Sequence, residues 1–290
     1  MFYIWRLSDA SALTQLEIDM FDRTDLLCYA CLPDGASFSD NIAAASRAGF
    51  TELSFWLMSI DVGRKELGSL EAVREVLDQH GMRATSLEFM TAWTHASNGE
   101  HLEELDVMLA AAEVFEPELV MVGCMTPEIP DFARAAANLR VQCQQLGAQG
   151  VKLGLEFLPW SALPNPQAVL QLVDTVAEDN LGFVIDTWHF TRAGMDYDAL
   201  AQLPGDKVHF IQVADALPEQ PDEDIMEQTL GYRCAPGEGV VDWPRMLQLW
   251  RDMGIACPIG TEMFSNKVKA MSLDDGAQYL HETLQRPFRE

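Results

Sequence analysis

Four apolar stretches of this chain each carry one side chain able to hold a metal, placed late in a run of strand length. They are VKLGLEFLP with Glu156, LGFVIDTWH with Asp186, VHFIQVAD with Gln212 and CPIGTEMF with Glu262. A polar group buried without a partner costs on the order of 2–7 kcal/mol, so four such residues in four strands call for a common partner. Three carboxylates and one amide oxygen form a hard, oxygen-only donor set, which suits Mg²⁺ or Mn²⁺. Singly, each has an ordinary reading: a solvated strand end for either Glu, a helix N-cap for Asp186, a loop hydrogen bond for Gln212. Their equivalent depth in consecutive strands favours one shared cation.

The elements that must position them alternate regularly. Strand-like runs cover residues 26–33, 52–58, 84–89 and 119–124, followed by the strands bearing Glu156, Asp186, Gln212 and Glu262. Helical patterns follow each one, over 38–48, 70–80, 102–115, 131–146, 166–176, 197–202, 243–253 and 274–285. Ser69 and Gly81 mark the start and stop of the second helix. Eight strands, each followed by a helix and apolar on both faces, predict a single closed (β/α)₈ barrel, a TIM barrel of the α/β class. No G-x-G-x-x-G follows the first strand, which removes the dinucleotide-binding alternative. Residues 1–25 stand outside the alternation and are expected to form an N-terminal extension packed on a catalytic barrel over 26–290. The connection 216–242, about 27 residues rich in Asp, Glu, Pro and Gly, follows the seventh strand and so lies on the catalytic face.

Composition narrows the partners. A formal charge of −26 without any Lys/Arg run excludes a nucleic-acid binder and disfavours an anionic membrane. No apolar stretch reaches the roughly 20 residues of a membrane-spanning helix. The start, MFYIWRLSDA, lacks a secretory pattern, and the six irregularly spaced cysteines read as free thiols in a reducing cytoplasm. Cys28 and Cys31, within LLCYACLP, read as core thiols of the first strand.

The segments GLEFLP, VIDTWH, IQVADA, RCAPGEGVVDW and GTEMF, within a span from about Leu26 to the C-terminus, resemble the xylose-isomerase-like TIM-barrel superfamily, the sugar phosphate isomerase/epimerase group. The resemblance implies that Glu156, Asp186 and Glu262 are metal ligands. The remaining ligand is commonly a His in the epimerases of that group. Gln212 here, followed by V-A-D-A and R-C-x-P-G-x-G, is similar to its bacterial 3-dehydroshikimate dehydratases. Those carry two histidines just before the R-C-x-P-G segment, where this chain has Leu230, Gly231 and Tyr232. Members of the group often pair, so a homo-oligomer is expected.

By the same resemblance His189 is a substrate-binding or proton-handling group. Arg233 is expected to meet a substrate oxygen or carboxylate. Gly237 and Gly239 are expected to let its loop turn close to the site, and Glu88 to reach the mouth. Trp56, Trp93 and Trp160 are candidates for the pocket wall, and His209, at the far end of its strand, reads as structural. A divalent ion facing an α-hydroxy carbonyl stabilises the enediolate formed when the adjacent proton leaves. Glu156, Glu262 and His189 are the groups to move that proton. The expected function is therefore a metal-dependent isomerase, epimerase or lyase of a small polyhydroxylated carbonyl compound. A 3-dehydroshikimate dehydratase-like lyase is the alternative, and a non-catalytic accessory barrel a further one. An endonuclease IV-type phosphodiesterase would need more His and a basic groove.

Overall fold

The computed structural model describes residues 23–95 and 99–289; of the expected N-terminal extension, residues 1–22 lie outside them. Eight parallel strands close into a barrel: β1 (Leu26–Cys28), β2 (Glu52–Trp56), β3 (Arg83–Met90), β4 (Leu119–Val122), β5 (Lys152–Glu156), β6 (Leu181–Asp186), β7 (Val208–Val213) and β10 (Ile259–Thr261). Between the last two, β8 (Asp215–Ala216) and β9 (Arg233–Cys234) form a short antiparallel pair. β1 closes the barrel by pairing with both β2 and β10. The expected TIM barrel is thus the observed fold. No helix of the described residues is long and apolar enough to cross a membrane.

The barrel interior below the mouth is filled by Leu26, Leu119, Met121, Val184 and Phe210, all buried, with Phe89 against them. Two strand glycines make room for these side chains. A Cβ on Gly154 would stand 2.6 Å from Val184 Cγ2, and one on Gly260 2.6 Å from Leu26 Cδ2. Helices seal the outside. Pro166–Val176 starts on the Asn165 cap with proline in its first turn, and Trp243–Met253 starts on Asp242 and stops at the left-handed Gly254. Both spans match the sequence reading.

Several boundaries differ from it. The first strand stops at Cys28, and Tyr29–Cys31 is a 3₁₀ turn, so the two thiols straddle a strand end and do not share one strand. Leu57 and Met58, expected in the second strand, open the helix Leu57–Leu67, and a separate helix Leu70–Gln79 follows. The sixth strand is followed by two short helices, Thr187–Arg192 and Tyr197–Leu200. The long connection is structured too: Asp224 caps the helix Ile225–Gly231 inside it.

The N-terminal end of the barrel is tied by charge. Buried Glu52 takes Arg23 at 2.7 Å and Arg83 at 2.7 Å, and both guanidinium groups reach Glu118, at 2.8 and 2.9 Å. Burial opposes the ionised Glu52, but Arg23, Arg83 and Thr85 together lower its pKa. At the same end, His209 Nδ1 donates to Leu153 O at 2.9 Å, joining β7 to β5, as its structural reading expected.

Burial lowers the His209 pKa to about 4, below the roughly 6.5 of a free histidine. The unfolded chain therefore binds this proton first on acidification. The stability of the neutral buried ring is fully present above about pH 6.5. It declines as pH falls towards 4, by at most about 3 kcal/mol. The stability difference between wild type and His209→Gln, measured by urea unfolding from pH 7.5 to 4, is expected to shift in the variant's favour by up to that amount. A pH-independent difference would show that His209 is not held neutral.

Candidate active site

The C-terminal ends of β5, β6, β7 and β10 deliver Glu156, Asp186, Gln212 and Glu262 to one side of the barrel mouth. Glu156 and Asp186 are the last residues of their strands, Gln212 the next to last, and Glu262 follows Thr261 directly. All four are buried. Ligand atoms of Glu156, Asp186, His189 and Glu262 lie within 4.8 Å of one another, a spacing able to surround one cation. Two oxygens in this region have no protein hydrogen-bond partner, Glu156 Oε1 and Gln212 Oε1. Such buried orphans cost free energy unless something fills them. The donor set fits a divalent cation: carboxylates, an amide oxygen and one imidazole.

Asp186 serves two partners at once. Its Oδ1 accepts from His189 N at 2.9 Å, capping the helix Thr187–Arg192, and its Oδ2 accepts from Arg233 Nη1 at 2.6 Å. The N-cap reading is therefore realised, at a carboxylate that also belongs to the cluster. Arg233 Nη1 also donates to Glu262 Oε2 at 2.9 Å and to Glu262 O at 2.8 Å, while Nε donates to Thr229 O at 3.1 Å. Its guanidinium is sandwiched between Trp188 and Phe264, 5.1 and 5.3 Å from their ring centres. Arg233 is 2% exposed. It is thus the counter-ion of the carboxylates as well as a group near the cavity.

The electrostatics follow from crowding. Burial pushes the Glu156 carboxyl well up, and Asp186 and Glu88 push further, against the pull of Arg233. Glu262 is raised for the same reason, burial first. Asp186 alone goes down: burial works against its charge, but Arg233 and His189 outweigh it and hold it at about 2. Burial lowers His189 to about 3 despite the nearby Asp186, so the ring is neutral. Its Nε2 accepts from Arg233 Nη2 at 3.3 Å and lies 3.5 Å from Glu156 Oε1, which leaves the proton on Nδ1.

Above this floor lies a cavity of about 270 Å³, lined by Glu88, Glu156, His189, Arg233 and Glu262 and walled by apolar side chains that include Trp56, Trp160 and Phe264. Trp160 stands edge-on to His189, with ring centres 5.0 Å apart. Glu88 reaches the mouth, held there by Ser54 Oγ on one oxygen and by Trp56 Nε1, at 3.0 Å, on the other. Burial raises its carboxyl to about 7 against those two donors. Trp93 is the exception among the candidates. It is fully buried outside the cavity lining, and its Nε1 donates to Gly123 O at 2.9 Å.

Asp215 was not singled out by the sequence reading, although a lone acid in the apolar run IQVADA was the signal. It is fully buried, and its carboxylate accepts from Ala216 N, Gly237 N, Val241 N and Trp243 Nε1 at 2.8–3.0 Å. Gly239 turns around this carboxylate and not around the cavity: a Cβ there would stand 2.2 Å from Asp215 Oδ1. Gly237 supplies the left-handed turn, with φ +82°.

A closed parallel barrel with a carboxylate cluster at the C-terminal ends of its strands defines a class of barrel with a built site at the usual catalytic face. A family model described as xylose isomerase-like TIM barrel matches residues 42–285, and the chain belongs to that family. The 3-dehydroshikimate dehydratase of Pseudomonas aeruginosa is 27% identical over 175 residues, 59% of this chain and 27% of that protein. The inosose isomerase of Bacillus subtilis is 27% identical over 136 residues, 46% of this chain and 48% of that protein. The chain therefore spans about a quarter of the matched dehydratase and about half of the matched isomerase. Among solved structures, the IOLI protein with a bound zinc atom superposes with a TM-score of 0.79 at 19% identity, over 90% of this chain and 96% of that one. That likeness shows the fold.

Asp215→Ala removes the acceptor from three backbone N–H groups and one indole. Buried donors left unpaired cost about 1–3 kcal/mol each before relaxation. A net loss of about 2–4 kcal/mol in urea unfolding is expected; a loss below about 0.5 kcal/mol would show that the loop does not depend on this carboxylate.

Proposed function

We propose that the chain is a divalent-cation-dependent enzyme that moves a proton next to the carbonyl of a small, uncharged polyhydroxylated ketone, as an isomerase or epimerase. The observation that carries this reading is the pair of buried oxygens without protein partners, Glu156 Oε1 and Gln212 Oε1, beside a carboxylate cluster. In this reading Glu156, Asp186, Gln212 and Glu262 hold the cation, with Mn²⁺ or Mg²⁺ preferred for the oxygen donors. The zinc of the IOLI structure makes Zn²⁺ the first comparison. When bound, such an ion polarises the carbonyl and offsets the charge that develops on its oxygen.

The chain's own groups supply the proton chemistry. Glu156 and Glu262, on β5 and after β10, face the cavity from opposite sides of Asp186 and Gln212 around the barrel. One, as a carboxylate, accepts the proton beside the carbonyl, and the other, as a carboxylic acid, gives its own proton to the opposite face; for isomerisation the first gives its proton back to the neighbouring carbon. Neutral His189, its ring set edge-on by Trp160, lines the cavity as a substrate contact. Arg233, Glu88 and Trp160 are substrate contacts, and the apolar wall keeps water from competing for the proton.

Charge selects an uncharged substrate. Glu88, Glu156 and Glu262 line the cavity, Asp186 lies beside it, and Arg233 is its one cationic lining residue among those described, already bonded to Asp186 and Glu262. A carboxylate or phosphate ester would find that guanidinium already committed to Asp186 and Glu262. The dehydratase alternative is favoured by Gln212, the R-C-x-P-G-x-G segment and the Pseudomonas relative, and opposed by this charge and by Leu230, Gly231 and Tyr232.

Solvent-deuterium exchange beside the carbonyl, followed by NMR with keto-cyclitols, ketoses and 3-dehydroshikimate, separates the readings. Exchange into an uncharged ketone is expected. Elimination of water from 3-dehydroshikimate alone would instead make the chain a lyase. A protein that keeps its metal but exchanges no substrate would be an accessory barrel. Glu156→Gln and Glu262→Gln are each expected to lower exchange by at least about 10²–10⁴-fold with unchanged circular dichroism. Retained exchange in either variant would remove that residue from the mechanism.

A further inference from the structure

We propose a second cation site, formed by Cys28, Glu88 and Glu262, with Glu262 bridging it to the four-strand site. The three side chains come from β1, β3 and the residue after β10, the half of the barrel opposite β5 and β6. All are buried, and their ligand atoms lie within 4.8 Å of one another. Cys28 Sγ is 3.9 Å from Glu262 Oε1. A four-coordinate ion bound by one thiolate and one carboxylate holds sulfur and oxygen about 3.5 Å apart, so the Cys28–Glu262 pair is a few tenths of an ångström from ligand spacing.

Three observations support it. First, Glu262 divides its oxygens: Oε2 accepts from Arg233, which also binds Asp186, whereas Oε1 faces Cys28. A carboxylate so placed can serve two ions. Second, Glu88 is oriented as ligating carboxylates are, with Ser54 and Trp56 donating to its two oxygens and lone pairs left over. Third, the charge count has room for it when all four carboxylates are ionised. Glu88, Glu156, Asp186 and Glu262 face one guanidinium, so a single divalent ion leaves one buried negative charge. A second divalent ion, with Cys28 as thiolate, leaves none. The thiolate selects a softer ion than the four-strand site does, Zn²⁺, Fe²⁺ or Co²⁺ over Mg²⁺. Glu88 and Glu262 line the cavity, which is the ion's way in.

Cobalt(II) titration of the chelator-stripped full chain tests the proposal, with absorption read alongside calorimetry. Two equivalents are expected, one of them carrying a thiolate-to-cobalt charge-transfer band. Cys28→Ser should lose that band and one equivalent, and keep the other. Glu88→Gln should weaken the band-bearing equivalent at least tenfold, and it carries the test if Cys28→Ser fails to fold. Asp186→Asn separates the two sites. One equivalent bearing the band and insensitive to this variant would support the new site and sink the four-strand reading. One equivalent without the band would overturn the new site, the residual charge then being removed by a proton on Glu88, and would leave the four-strand reading standing. A band that survives Cys28→Ser would also overturn it.

Discussion

Three carboxylates packed at the ends of neighbouring strands repel one another, and water is largely excluded from the place where they meet. Arg233 makes that arrangement tolerable. Its Nη1 bonds Asp186 and Glu262 together, Thr229 O fixes its Nε, and Trp188 and Phe264 cover its faces. A lysine could not reproduce this, because a planar fork is needed to hold two oxygens and an imidazole at once. The low pKa of Asp186 follows from it, and it adds to the burial that keeps His189 neutral. The cluster and its polarity rest on this one buried cation.

The backbone places that cation by a second buried charge. Asp215 gathers donors from both ends of the connection after β7, so the β8–β9 pair and the loop return to the same point. Gln212 on β7 and Arg233 on β9 are thereby parts of one assembly. Strand register supplies the rest: Asp186 pairs with Gln212, whereas Glu156 pairs with Val184 and Gln212 with Gly260, staggers of two residues that the tilt of barrel strands brings to one mouth.

Much of this was legible in the sequence because it is written in local chemistry. The helices Pro166–Val176 and Trp243–Met253 were readable to the residue, since Asn165–Pro166 and Asp242 announce their starts and Gly254 ends the second. The four metal-capable residues stood out because each interrupts an apolar run. The helix Thr187–Arg192 was hidden because it begins on the last residue of a strand, with Asp186 serving both, and TWHFTR continues the apolar character. The helix Ile225–Gly231 lay inside a polar stretch whose one signal was the cap at Asp224. Arg233's partners, the support of Glu88 by Ser54 and Trp56, and the exclusion of Trp93 from the cavity depend on how distant strands meet. No spacing along the chain encodes them.

The two ends of the barrel are held by unrelated charge networks. Arg23, Arg83, Glu52 and Glu118 tie the strand starts, and among the described residues no mouth side chain joins these ion pairs. This gives the fold a division of labour with an evolutionary meaning. A substitution at the mouth leaves the ion pairs of the opposite rim in place, so the strand starts stay tied. The barrel is thus buffered where it is anchored and free to explore where it reacts.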